Sequence, residues 1–335
     1  MSLYRNILSR AWKISWQNKY LWFFGIFAAL LGNGGEYEIL VRGLSGETGE
    51  AVLPAWRNIA STGIFSPHIF DNIANIMRED PFSLIMACFF SLVILILFIF
   101  LVWLSITSQI ALVNSATSHL AGKAGRIQTG ISAGKKKFWP VFGLNAANKL
   151  IILLAFILIG LPIILTAARS AGVIINLIYI ILFVIFMAAA LSVSFIIKYA
   201  IAFVVIKKNK FIESIKSGWR LFAENWLVSV EMAFILFFIN FLVGLGTIFV
   251  VFVAAIPFIF SAALFYKLAA AVGFWIVVSL AFILFLAFIV LAGSILATFQ
   301  ISSWTALFVE LVSKGGVSKI VRIAEGWVGG NNNNK

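Results

Sequence analysis

Residues 211–243 read FIESIKSGWRLFAENWLVSVEMAFILFFINFLV, an amphipathic stretch that runs directly into an apolar one. In the first half, apolar side chains recur at helical spacing, while Lys216 and Arg220 fall on the opposite face. The second half is mostly apolar and leads into enough further apolar sequence for a membrane crossing, which takes ~20 residues. A basic amphipathic helix that carries tryptophan is typical of the membrane–water interface. The stretch therefore predicts an interfacial helix followed by a spanning helix.

The composition of the whole chain favours a membrane protein. The 335 residues are 62% hydrophobic and 11% charged, whereas soluble domains have about 25% charged and about 45–50% apolar residues. A soluble domain must cover itself with polar groups, and this composition does not provide them. The net charge of +13 is not accompanied by a nucleic-acid-binding motif. It fits loops that face the anionic leaflet of a membrane.

The apolar stretches predict an all-α fold, a polytopic transmembrane bundle of about six spans. The predicted spans are 20–35, 84–110, 148–168, 173–197, 230–254 and 270–298. They form one integral membrane domain, residues 1–330, followed by a polar tail, residues 331–335, that we expect to be disordered. The first span follows a basic N-terminus, but Gly32–Gly35 is not a convincing cleavage site, so we interpret it as a retained helix.

The basic residues predict the orientation of the spans. Eighteen of the 25 Lys and Arg residues fall at the N-terminus, in the two long basic loops and in the segment near the C-terminus. These predicted cytoplasmic segments are 1–19, 114–147, 198–226 and 310–330. The predicted outer loop 36–80 carries seven acidic residues against three Arg. The positive-inside rule then puts both ends of the chain in the cytoplasm.

A repeated pattern precedes the predicted spans. Residues 127–139 read IQTGISAGKKKFW, and residues 7–18 read ILSRAWKISWQN. The matches to the quoted stretch are Ile131, Gly134 and Phe138 with Ile215, Gly218 and Phe222; Ala11, Trp12 and Lys13 with Gly218, Trp219 and Arg220; and Asn18 with Asn225. One interpretation is three helix hairpins, each preceded by a basic interfacial helix. The other is that any basic segment between spans has this appearance.

Three polar residues within or beside the spans are candidates for a functional site. Ionisable groups inside a membrane are costly and by default suggest function. Lys198 and Glu231 lie at similar predicted depth on two helices, so we hypothesise that they pair; the alternative is that each reaches the cytoplasmic interface separately. Asn240 lies nearest the middle of a span. It is the best candidate for a solute path, although an amide between helices more commonly forms a structural hydrogen bond.

Other amides and the histidines add little to a site. Further neutral polar residues in or near spans are Asn145, Asn148, Asn176, Gln109 and Gln300. The two histidines, His68 and His119, are far apart and lack acidic or cysteine neighbours at metal-ligand spacing. The sequence contains no HExxH, GxxxxGK[ST] or GxSxG motif. We therefore expect no metal, no cofactor and no enzyme activity.

Three segments carry a resemblance to a known group of proteins. ESIKSGWRLFAENW, GISAGKKKFWPVF and AWKISWQNKYLWFFGIF resemble a broad group of poorly characterised prokaryotic six-helix membrane proteins. That group is similar to the membrane domain attached to some glycerophosphoryl diester phosphodiesterases. The resemblance implies a multi-pass protein of a prokaryotic plasma membrane. It brings no catalytic positions, and no stretch of this sequence could form the soluble phosphodiesterase barrel, so it does not imply lipid hydrolysis.

These observations favour a non-enzymatic, membrane-organising or partner-binding module. Its basic cytoplasmic face would contact anionic lipid in the bilayer and a protein partner or a second copy of the chain; nucleic acid is not expected. The second hypothesis is a transporter or channel for a small solute or lipid, because transporters are often built from repeats with a site near the midplane. The third is an intramembrane enzyme, for which the sequence displays no acid pair or nucleophile.

Overall fold

The computed structural model describes residues 3–31, 81–123, 125–167 and 173–314. Every regular element in these ranges is a helix, so the predicted all-α class is confirmed for them. The helices are α1 (Leu3–Gln17), α2 (Tyr20–Ala29), α3 (Pro81–Leu120), α4 (Ile127–Ala167), α5 (Val173–Ala202), α6 (Phe211–Glu224), α7 (Trp226–Lys267) and α8 (Ala271–Lys314). A π-helical turn, Phe203–Lys207, extends α5. The predicted outer loop 36–80, most of segment 310–330 and the tail 331–335 lie outside the described residues.

Four stretches within the described ranges are long and apolar enough to cross a membrane. They are Leu84–Leu120, Ile180–Lys207, Trp226–Lys267 and Ala271–Ser313. Helix α2 is apolar but has only ten residues. Helix α7 has 42 residues, which correspond to about 63 Å, roughly twice the thickness of the hydrocarbon core. One membrane crossing therefore uses only part of such a helix.

Two asparagines mark the breaks between an amphipathic helix and the apolar helix after it. Asn18 separates α1 from α2, and its side-chain amide donates to the carbonyl of Ile14 at 3.0 Å. Asn225 separates α6 from α7, and its amide donates to the carbonyl of Leu221 at 3.1 Å. In both cases the side-chain amide and the main-chain N–H of the same asparagine donate to the carbonyl four residues earlier, at the end of the amphipathic helix. The two asparagines that the sequence comparison matched thus make the same bond.

The chain divides into two compact units. The first comprises Met1–Asn33, Ser105–Leu144 and Phe195–Lys335, and the second comprises Gly34–Leu104 and Asn145–Ser194. In the second unit, the side chains described on α3, α4 and α5 are mostly apolar and exposed, as Phe98 and Ile181 are. Extended exposed apolar surface of this kind suits contact with lipid.

The core of the first unit contains many small polar side chains. It joins the last turns of α3, α5 and α8 to the amphipathic helices, and its bulky members include Tyr199 and Phe308. The buried small polar residues on α3 and α8 are Ser105, Thr107, Ser108, Ser115, Ser294, Thr298, Ser302, Ser303 and Thr305. Small residues allow helix backbones to approach closely within a membrane protein. The stretches of α7 and α8 nearer their connecting turn expose apolar side chains instead.

Candidate functional site

Three amphipathic segments of the first unit are buried in the same register. They are α1, the first turns of α4, and α6. The equivalent buried positions form three sets: Ile7, Gly130 and Ser214; Ala11, Gly134 and Gly218; and Leu21, Leu144 and Val228. The spacing of these positions is that of one helix face. The residue in the middle set is always glycine or alanine, so each segment presents its smallest side chain at the same point.

The glycines of two segments lie directly on the backbone of a long helix. A Cβ atom on Gly134 would lie 3.0 Å from the carbonyl oxygen of Thr107 in α3. A Cβ atom on Gly218 would lie 2.7 Å from the carbonyl oxygen of Ile196 in α5. The distance at Gly218 is shorter than real Cβ atoms show, and the distance at Gly134 is tighter than nine in ten real Cβ contacts, so glycine allows the closest approach at both positions. The start of α4 therefore packs on α3, and α6 packs on α5.

The first amphipathic helix packs on the last long helix. Trp12 of α1 meets Phe299 of α8 edge to face, with ring centroids 6.0 Å apart. Arg10 lies 3.8 Å from the carboxylate of Glu310 in the same helix, and the arginine side chain of this ion pair is more exposed than that of the glutamate. The start of α4 and α6 thus each pack on the long helix that comes before them, and α1 packs on α8. Each of the three amphipathic segments packs on a different long helix within the first unit.

Each amphipathic segment also carries exposed tryptophan and basic side chains. Trp12 is 51% exposed, Trp139 is 75% exposed and Trp219 is 62% exposed. Exposed basic residues follow the buried small residue of each segment; they are Lys13, Lys135, Lys136 and Arg220. This combination of amphipathic aromatic rings and cations suits the headgroup region of a bilayer.

The inner parts of three long helices enclose a small pocket in the first unit. Its volume is about 40 Å³, enough for about three water-sized groups. Each helix contributes a polar residue and the residue four positions later, and α5 and α8 contribute further residues. The pairs are Gln109 and Val113 from α3, Lys198 and Ala202 from α5, and Gln300 and Trp304 from α8.

Aromatic side chains surround the ammonium group of Lys198. Its Nζ atom lies 4.6 Å from the centroid of the Trp304 ring, a cation–π contact. The Trp304 ring also packs against Phe195 and Tyr199, with centroids 5.5 and 6.2 Å away. The hydroxyl of Tyr199 is 2.7 Å from that of Ser229 at the start of α7. The lysine is therefore held at the pocket wall by a packed aromatic cluster.

The pocket also connects two of the three candidate residues. The side-chain amide of Gln300 donates a hydrogen bond to the amide oxygen of Asn240 in α7. Gln300 lines the same pocket as Lys198, so a single glutamine links the lysine to the asparagine. Sequence analysis named Gln300 only as one amide among several. The pairing joins residues 60 positions apart, and no local pattern indicated it.

The third candidate, Glu231, has a partner on a different helix. The hydroxyl of Tyr4 in α1 donates a hydrogen bond to its carboxylate, and Glu231 does not line the pocket. The ion pair with Lys198 stays a prediction. Tyr4 was not predicted as a partner of Glu231. Its place on the buried face of an amphipathic helix was the only signal in the sequence that could have indicated this role.

A second lysine stabilises the end of α5. The Lys137 ammonium donates a hydrogen bond to the carbonyl of Val205 in the π-helical turn, which precedes Lys208 in the left-handed conformation. Cations near a helix C-terminus interact favourably with its unpaired carbonyls. Burial, and secondarily the charge of Lys208, lowers the pKa of Lys137 below 10.5.

The histidine in the described residues contacts a tyrosine. The hydroxyl of Tyr20 lies 3.0 Å from Nε2 of His119. This contact joins the start of α2 to the end of α3. Within the described ranges, no group of three His, Cys, Asp or Glu side chains could hold a metal ion. The other histidine, His68, lies outside those ranges.

Together, the helical fold and the four apolar helices define the class of this chain. It is an all-helical membrane protein. Comparison with protein-family models, curated proteins and solved structures found no match.

Proposed function

We propose that this chain is a non-enzymatic, membrane-organising module of a prokaryotic plasma membrane, with six spans and both termini in the cytoplasm. Its basic face binds anionic lipid and offers a docking surface to a protein partner or a second copy. One observation carries the proposal: the three amphipathic segments bury equivalent small residues and expose tryptophan and basic residues. The resemblance to the six-helix prokaryotic proteins belongs to the same proposal.

The contacts of the three amphipathic segments with the long helices support an origin by triplication of a helix-plus-hairpin segment. In such an arrangement, each amphipathic helix packs on the last helix of the preceding hairpin. The contacts of Gly134 with Thr107 and of Gly218 with Ile196 follow this rule. The packing of α1 on α8 follows the same rule if the third hairpin takes the place of the hairpin before α1. Matched burial and matched asparagine caps favour this explanation over chance similarity between basic segments.

The three faces together present a basic surface at one membrane interface. The inner leaflet carries a negative potential, and each Lys or Arg near it contributes about 1 kcal/mol. Exposed tryptophan rings anchor such helices at the depth of the headgroups. Several exposed cations on these three segments would therefore gather anionic lipids around the protein.

The test measures which lipids accompany the protein. The chain is reconstituted in bilayers that contain phosphatidylcholine with a minor fraction of phosphatidylglycerol, and the annular lipids are quantified by native mass spectrometry. We expect several-fold enrichment of phosphatidylglycerol, which Lys135→Glu with Lys136→Glu reduces towards the bulk ratio. Lys267→Glu, on the predicted outer side, is the matched control and keeps the enrichment. The same lipid ratio in all three proteins, or no enrichment at all, rejects the proposal.

A transporter or channel is the alternative, and the polar pocket favours it. The pocket brings Lys198 and Gln300 together, and Gln300 leads to Asn240 in a neighbouring helix. Proteoliposomes tested by light scattering with a panel of small neutral and charged solutes distinguish the two functions. Solute flux that Asn240→Leu abolishes in folded protein supports transport. The organising module has no such flux, and the same substitution leaves its lipid enrichment intact.

A further inference from the structure

Two of the polar residues that line the pocket occupy equivalent places on their helices. Thr107 and Ile196 carry the carbonyls on which the glycines of α4 and α6 pack. Two residues later in each helix come Gln109 and Lys198, and both line the pocket. Gln300 lines it from α8, where α1 packs. The pocket thus lies where α3, α5 and α8 meet, with an amide on α3 and on α8 and a cation on α5.

The side chains around the pocket suit a negatively charged group. An ammonium group has three N–H donors, so Lys198 can bind a ligand even when it also interacts with a carboxylate such as Glu231. Among the described residues that line the pocket there is no carboxylate. Gln109 and Gln300 are each 8% exposed, and charge-assisted bonds strengthen where water is largely excluded.

A hydrogen bond to Asn240 holds the amide of Gln300 in place. One of its N–H groups donates to Asn240, and the second remains to face a ligand, since a glutamine amide has two donors. Trp304 holds the ammonium of Lys198 through its ring face. A site whose donors are positioned before binding loses less entropy when a ligand arrives.

We propose that this pocket binds a tetrahedral oxyanion of the phosphate class, either as free phosphate or as the phosphate of a lipid headgroup. Its volume of about 40 Å³ matches the few oxygen atoms of one such group. The ammonium of Lys198 provides the charge, and the amides of Gln109 and Gln300 donate to the oxygens. The site is distinct from the exposed basic face of the proposed function and does not depend on it.

The experiment compares the intact protein with two pocket variants. Protein purified in phosphate-free maltoside detergent is titrated with inorganic phosphate by calorimetry, and separately with short-chain phosphatidic acid. Lys198→Met removes the cation but keeps much of the side-chain length. Gln109→Glu keeps the shape of the side chain and puts a carboxylate beside the site. Lys216→Met, an exposed lysine on α6, is the matched control for the loss of one charge.

We expect saturable binding to the intact protein and to Lys216→Met, and a dissociation constant at least tenfold higher for both pocket variants. Saturation by inorganic phosphate assigns the site to a free ion; saturation by phosphatidic acid alone assigns it to a headgroup. Lys198→Arg keeps the charge and should retain binding, which guards against a variant that merely misfolds. The proposal is overturned if neither probe saturates, or if the pocket variants bind as the intact protein does. Because the exposed lysines are unchanged in both pocket variants, these can lose binding while annular lipid enrichment persists.

Discussion

Gly218 lies so close to Ile196 that a Cβ atom on the glycine would be 2.7 Å from the carbonyl oxygen of the isoleucine. A methyl group at this position would push α6 away from α5, because the nearest atoms belong to the helix backbone and cannot rotate aside. Overpacking of this kind typically costs about 1–3 kcal/mol. We therefore expect Gly218→Ala to lower the free energy of unfolding by that amount, measured by denaturation in mixed micelles.

Gly244 in α7 is the matched control for this substitution. A Cβ atom there would have no heavy atom within 4 Å. In the interior of a helix, alanine is more favourable than glycine. Gly244→Ala should leave the unfolding free energy unchanged or slightly raised. Equal losses for both alanine variants would mean that the contact between Gly218 and Ile196 does not limit the approach of the two helices.

The hydrogen bond between Gln300 and Asn240 should be measurable as a coupling energy. Interhelical bonds of this kind contribute about 1 kcal/mol in membrane proteins. A double-mutant cycle with Asn240→Leu and Gln300→Leu should therefore give less than additive losses, with a coupling near that value. Strict additivity would contradict a bond between these side chains. Ser261→Ala paired with Asn240→Leu is the control, because the hydroxyl of Ser261 donates to the carbonyl of Pro257 within its own helix.

Because of the amino group of Lys137, the free energy of unfolding should vary with pH in the alkaline range. Burial and the nearby charge of Lys208 lower its pKa in the folded state below 10.5, the ordinary value. The unfolded chain therefore binds more protons between the two pKa values, and stability rises with pH through that window. Below it, the full cost of the charged lysine is present. Relative to Lys137→Met, the intact protein should gain unfolding free energy as pH approaches 10.5.

The neighbouring lysine provides the comparison for this pH series. Lys136 is exposed on the same helix, so Lys136→Met removes one charge without the contact to the α5 terminus. Its unfolding free energy should follow that of the intact protein across the series. An intact protein and a Lys137→Met variant with parallel pH profiles would contradict the assignment.

The proposed orientation predicts opposite exposure for the two ends of α7. In a Cys88→Ser background, single cysteines replace Lys210, before α6, and Leu268, after α7; both original side chains are exposed. A membrane-impermeant maleimide should label position 268 in intact cells and position 210 only in inverted vesicles, because a spanning helix separates them. Labelling of both positions from one side would contradict a crossing by α7.

The coupling energies of Glu231 with Tyr4 of α1 and with Lys198 of α5 can be measured separately. Its carboxylate accepts a hydrogen bond from Tyr4, and its ion pair with Lys198 is a prediction. Two double-mutant cycles, Glu231→Gln with Tyr4→Phe and Glu231→Gln with Lys198→Met, measure each coupling. We expect both cycles to be non-additive. An additive cycle with Lys198→Met would mean that the lysine and the glutamate are stabilised separately.

The sequence indicated the amphipathic segments because their signal is local. A helix repeats every 3.6 residues, so Ala11, Gly134 and Gly218 could be matched from spacing alone. The match between Asn18 and Asn225 was found in the same way, and the structure gives both side chains the same hydrogen bond to a carbonyl four residues earlier. The count of six spans and the triplication remain predictions.

The candidate site was only partly accessible to the same reasoning. Lys198, Glu231 and Asn240 were singled out because a polar residue in an apolar run is conspicuous. Their contacts with Trp304, Tyr4 and Gln300 were not predicted. The Trp304 ring lies in a packed aromatic cluster against the lysine.

The sequence by itself determined that this chain is helical and suited to a membrane, because long apolar runs and helical spacing are properties of neighbouring residues. Only the tertiary structure decided which helices meet. The contact of Gln300 with Asn240 spans 60 residues, and that of Trp22 with Ser294 spans 272. Such contacts depend on how separate helices pack, and packing follows from the shapes of side chains that are distant in sequence.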